Sequence, residues 1–152
     1  MQVYSLVACH TGRTSENTVN QQEEQTMKQV INWFEIPADD FDRAVTFYEN
    51  VFATKLRRVV MNVGEDVITD GVFPYEPPAP SGSICKRPNL QPGPDGTLIY
   101  LDASPDISEV LARVWDNGGK VVLDKTLVTD DIGYIGVFID SEGNRVGVHA
   151  RK

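Results

Sequence analysis

A chain of 152 residues and 16.9 kDa, 41% of it hydrophobic, can bury one core but is too short for two well-buried domains. Its 14 basic residues against 22 acidic ones give a formal charge of −8, with no Lys/Arg cluster to follow a phosphate backbone, which argues against nucleic acid and anionic membrane as partners. Cys9 and Cys85 stand outside any CxxC or CxxH pair, which argues against a zinc knuckle or a disulfide framework, and reduced thiols are expected.

No stretch approaches the roughly 20 consecutive apolar residues of a membrane span, and the first residues lack the basic start and apolar run of a secretory signal, so a soluble cytoplasmic protein is expected. Residues 1–26 differ from the rest: an apolar run at 3–8 precedes a polar stretch rich in Thr, Asn, Gln and Glu. We expect an N-terminal extension or leader there, with Met27 a natural start and one domain over 27–152.

A strand is expected over 30–36, leading through Pro37-Ala38-Asp39-Asp40 into a helix whose face carries Phe41, Ala44, Val45, Tyr48 and Val51. Asp39 or Asp40 supplies its N-cap. Strands follow at 55–63, 66–73 and 82–86. The turn-rich span 74–96 holds seven of the nine prolines and contains the junction. The same order then repeats: a strand at 97–103, Ser104-Pro105-Asp106 at a helix start, Ile107, Val110, Leu111, Val114 and Trp115 on one helix face, and Gly118-Gly119 as the stop. Strands at 120–123, 133–139 and 145–150 complete a second module, giving modules over 27–88 and 96–152.

Certain residues are more specific than this pattern. Asn32-Trp33-Phe34-Glu35-Ile36-Pro37, Asp40-Phe41-Asp42-Arg43-Ala44-Val45 and Phe47-Tyr48-Glu49 resemble the opening of a vicinal-oxygen-chelate module of the glyoxalase / bleomycin resistance / dioxygenase type. Gly118-Gly119-Lys120-Val121-Val122 and Asp140-Ser141-Glu142-Gly143-Asn144 resemble its second half, with Ser141 in place of the usual proline. The resemblance implies an α+β fold: two paired βαβββ modules forming a curled mixed sheet with an open cup and helices on the outer side.

Metal-using members of the family draw ligands, usually His and Glu, from the first and last strand of each module. Counted along this chain, three of those positions fall on Trp33, on Ile99 or Leu98, and on Gly147, none with a donor. Near the fourth, around residues 83–87, Cys85 is the only plausible ligand, and one thiolate does not make a catalytic centre. The expectation is therefore no family metal and no cofactor.

Four residues are expected in the cup. Trp33 either stacks on an aromatic or cationic group or fills the space a metal would occupy. Glu35, two residues on, shares its face and is either a general base or a carboxylate held by a neighbouring Arg or Tyr. Tyr100 offers a hydroxyl or packs beneath the helices, and His149 is a donor, base or ligand, or else a frayed surface residue. Arg43, Lys55, Arg57 and Arg58 are interspersed with acids and read as solvated, and no nucleophile elbow or phosphate loop is present.

Three functions fit. The first is a metal-free binder of a small aromatic or cationic molecule held by Trp33, Glu35 and Tyr100. The second is an enzyme, of lyase, isomerase or dioxygenase type, using Glu35 or His149; the third is an inert dimerising module. A homodimer is expected, because the resemblance implies association through sheet edges or faces and the apolar run at 3–8 offers an extra strand to add to a neighbour.

Overall fold

The computed structural model describes residues 30–151; the expected leader, 1–26, lies outside them. The chain runs β1 (Trp33–Pro37), α1 (Phe41–Val51), β2 (Arg57–Val63), β3 (Asp66–Val72) and β4 (Ser81–Cys85), then β5 (Tyr100–Asp102), α2 (Ile107–Asp116), β6 (Lys120–Thr129), β7 (Gly133–Ile139) and β8 (Arg145–Ala150). Each half is thus a βαβββ module. The strands hydrogen-bond as two mixed four-stranded sheets of matching order, β1-β4-β3-β2 and β5-β8-β7-β6. In each, the first strand runs parallel to the last and the remaining pairs are antiparallel.

Both helices begin where a short acid can satisfy the free N–H groups of the first turn. Asp40 accepts from the Arg43 N–H at 3.0 Å and Asp106 from the Ser108 N–H at 2.9 Å. Helix α1 buries Ala44, Val45, Phe47, Tyr48 and Val51, and α2 buries Ile107, Val110, Leu111 and Val114. They share one core with Ile36, Ile84, Phe138, Val146 and Val148 from the strands. Because side chains alternate along a strand, the inward position of Ile36 turns Trp33 and Glu35 to the face away from the helices.

Strand lengths differ from the sequence pattern. β1 starts at Trp33 rather than residue 30, and β5 is three residues rather than seven, pairing with β8 only at Tyr100, Leu101 and Asp102. β6 runs to Thr129 instead of ending near residue 123. Pairing with β7, not burial, extends it: nearly all of β6 is exposed, so the apolar signal stops before the hydrogen bonding does.

The turn that carries the family-like Asp140–Asn144 residues fastens the modules together. Glu142 has a fully buried side chain whose Oε1 accepts from Arg43 Nε at 2.7 Å and whose Oε2 accepts from Arg43 Nη2 at 3.0 Å. Oε2 also accepts the backbone N–H groups of Asp39 and Asp40 at 3.1 and 2.9 Å, so a residue of the second module sits at the N-terminus of α1. Burial pushes the Glu142 carboxyl up, but the bonds from Arg43, Asp40 and Ser141 outweigh it and hold it below its ordinary 4.5.

A depressed folded-state value sets the sign of the pH dependence: the Glu142 contribution is complete above the unfolded value and is lost as pH falls through the folded one. Acid titration of stability should therefore show a fall below pH 4.5 that is shallower in Glu142→Gln. An identical slope in the variant, by urea melts at several pH values, would remove Glu142 from the account.

Candidate functional site

A cavity of about 600 Å³ opens between the two modules. One wall is β1, with Trp33, Phe34, Glu35 and Ile36; the junction segment supplies Leu90, Gln91 and Gly93–Thr97; and Ile99, Arg145 and Val146 close the far side. Asn144 fixes the junction in place, accepting the Gly93 N–H on Oδ1 at 3.0 Å while Nδ2 donates to the Pro37 carbonyl at 2.8 Å.

Trp33 is 41% exposed and so does not plug the interior. Its indole meets Tyr75 edge-on, centroids 6.3 Å apart at 80°, leaving indole surface for the cavity. Two residues on, Glu35 Oε1 accepts from Arg87 Nη2 at 3.0 Å. The same Nη2 donates to Asp70 at 2.7 Å, and Ser83 Oγ donates to the other Asp70 oxygen at 3.2 Å.

Two acidic side chains thus share one guanidinium. Asp70 is the closer and its side chain is only 3% exposed, whereas the Glu35 side chain is 34% exposed. The buried partner claims most of the Arg87 charge, because low dielectric strengthens that pair, and Glu35 presents the remaining negative potential towards the cavity. Cys85 is fully buried beneath; burial first, then the nearby Glu35 charge, pushes its thiol up to about 12 despite Arg87. A thiol so disfavoured as thiolate is neither nucleophile nor ready metal ligand.

Tyr100 and His149 do not join this cavity. They line a separate depression of about 370 Å³ on the second sheet, with Asp102 and Ile135. His149 is half-buried rather than frayed, its Nε2 2.7 Å from the Ile132 carbonyl. Arg43, Arg58 and Lys55 pair at the surface with Glu142, Asp42 and Glu49, and line neither cavity.

The residues present do not fit the family's metal. Trp33 and Ile99 face the main cavity without a suitable donor, Gly147 lies beneath the Tyr100 ring, and no group of three or more His, Cys, Asp or Glu side chains among the described residues is placed to share an ion. Sequence reasoning missed Arg87, Asp70 and Tyr75. The one available signal was Asp70, an acid within an otherwise strand-like run ending at a buried edge.

Two paired βαβββ modules around an open cavity define a vicinal-oxygen-chelate architecture. The family model of the Glyoxalase/Bleomycin resistance protein/Dioxygenase superfamily matches residues 30–148, and the chain belongs to that superfamily. Among solved structures it is similar to a glyoxalase/bleomycin resistance protein from Albidiferax ferrireducens T118, at 18% identity and TM-score 0.53, covering 80% of this chain and 98% of that one. It is also similar to the Leishmania major glyoxalase I, at 17% identity and TM-score 0.56, covering 81% and 87% of the two chains. Glyoxalase I from Zea mays matches at 18% identity and TM-score 0.58, with 80% of this chain covering 44% of that one. At such identities the likeness concerns the fold. No curated protein matches the sequence. Among the described residues, no helix is long and apolar enough to cross a membrane.

Proposed function

We propose that this chain binds, without a metal, a small molecule that has an apolar or aromatic body and a cationic group, in the cavity between the modules. The observation that carries the reading is the juxtaposition of an accessible indole, Trp33, with Glu35, whose charge Arg87 only partly offsets. Phe34, Ile36, Ile99 and Val146 give the apolar body a surface to cover. An open cavity also supports binding over the inert module.

The test is thermal unfolding in EDTA with three probes that share a benzene ring and differ in charge: benzyltrimethylammonium, benzyl alcohol and benzoate. Only a ligand that prefers the folded state raises the melting temperature. The cation should raise it most, and Glu35→Gln should remove that advantage. Equal shifts for all three probes, or none for any, would end this reading.

We also propose a homodimer, supported by the exposed apolar residues Val60 and Val67 on β2–β3 and Leu127 and Val128 on β6, the long edge of the second sheet. Sedimentation at micromolar concentration should give twice 16.9 kDa; a monomer alone would refute it.

A further inference from the structure

The second depression has a chemistry of its own, independent of the main cavity. On the face of β5 and β8 turned from the helices, the parallel register sets Tyr100 beside Gly147 and Asp102 beside His149. A Cβ at Gly147 would lie 2.5 Å from the Tyr100 ring, so only glycine lets that ring lie flat across β8. Ile135, paired with His149 on the other side, gives the depression an apolar floor.

The hydrogen bonds fix what the polar groups present. The Ile132 carbonyl can only accept, so His149 Nε2 carries a proton at 2.7 Å, and in the tautomer this selects Nδ1 offers a lone pair. Asp102 Oδ1 takes the Ser104 N–H at 3.0 Å, while no Lys or Arg among the described residues pairs with Asp102, leaving Oδ2 as a charged acceptor. The depression thus combines one carboxylate oxygen, one imidazole lone pair and one exposed aromatic ring, with no cation of its own.

We infer that Tyr100, Asp102 and His149 form a second binding site, for a guanidinium group. A guanidinium is planar, stacks on an aromatic face and directs several N–H donors outward in its own plane, which suits two acceptors beside one ring. An ammonium is a compact, strongly hydrated charge that makes poorer use of both the ring and the second acceptor. The guanidinium belongs either to a small free molecule or to an arginine side chain of a protein.

The experiment follows the imidazole signals of the full chain by NMR; of its two histidines, His10 and His149, the latter is assigned by its loss in His149→Gln. Ethylguanidinium, N-acetylarginine amide, an arginine-centred pentapeptide and N-acetyllysine amide are titrated in turn. The guanidinium probes should shift His149 saturably at about millimolar concentration, and the lysine probe should bind about tenfold more weakly. Equal binding by ethylguanidinium and the peptide assigns the site to small guanidines; clearly tighter peptide binding assigns it to a protein arginine.

Asp102→Asn retains the oxygen that accepts from Ser104 and should keep the fold, checked by circular dichroism, yet weaken the guanidinium probes about tenfold. Tyr100→Leu should weaken them as well. The inference is overturned if no guanidinium probe gives a saturable shift, if lysine matches arginine, or if both folded variants bind as the parent does. In a Trp115→Phe background the Trp33 emission, which reports the other cavity, should not follow the His149 titration curve.

Discussion

Replacing Asp140 with alanine should cost about 3–4 kcal/mol and lower the melting temperature by roughly 15 °C, a large effect for a residue outside either cavity. One carboxylate accepts four bonds, all at 2.8 Å: from the Tyr48 hydroxyl, the Glu142 and Asn144 backbone N–H groups, and Asn144 Nδ2. Tyr48 is completely buried, so alanine strands its hydroxyl in the core with no water to replace the acceptor. Burial, and then the Asp140 charge, hold that phenol well above its ordinary value, so it stays a donor. Tyr48→Phe removes one donor and should cost only about 1–2 kcal/mol, because Asp140 keeps three others. Urea unfolding of both variants checks the ranking; a loss below 1 kcal/mol for Asp140→Ala would show that the turn does not hold the modules together.

Arg87→Leu should cost about 3 kcal/mol, because it leaves the buried Asp70 without its cation. Partial exposure of Glu35, 34% by side chain, keeps the figure at the low end of what a broken buried pair costs. The informative comparison is the double variant Asp70→Leu with Arg87→Leu. Removing both charges replaces a desolvated pair with apolar contacts, so the double should be more stable than Arg87→Leu alone. If the two losses simply add, Arg87 serves some role other than neutralising Asp70.

Local chemistry made much of the fold legible before any coordinates. Asp40 and Asp106 marked the helix starts because capping is a contact between residues two or three apart. The helix faces followed from their spacing except at Trp115, which lies in the last turn of α2 beyond the reach of the core and is 74% exposed, and alternation put Trp33 and Glu35 on one side of β1. What sequence could not show were contacts across long separations. Asp140 bonds Tyr48 and Glu142 bonds Arg43 over 92 and 99 residues, so the turn residues could be recognised but not their partners.

The site was legible only in part for the same reason. Arg87 lies just beyond β4, in a proline-rich stretch without periodicity, and reaches Glu35 across 52 residues. Tyr100 is expected in one cup with Trp33, but the cavity that Trp33 lines lies between the modules, whereas Tyr100 lines a depression on the second sheet alone. The end of β6 was missed because an exposed edge hairpin is held by backbone pairing that leaves no hydrophobic trace.

The proposed function requires Trp33 and Glu35 together to bind an organic cation without a metal. Trp115, the other tryptophan, is exposed on α2, so a Trp115→Phe background isolates the Trp33 emission. Titrating that protein with benzyltrimethylammonium in EDTA should change the emission saturably, and adding Glu35→Gln should weaken binding about tenfold, the equivalent of roughly 1.4 kcal/mol. Emission that does not change with the cation, or an affinity that Glu35→Gln leaves untouched, would rule out cation binding at Trp33 and Glu35.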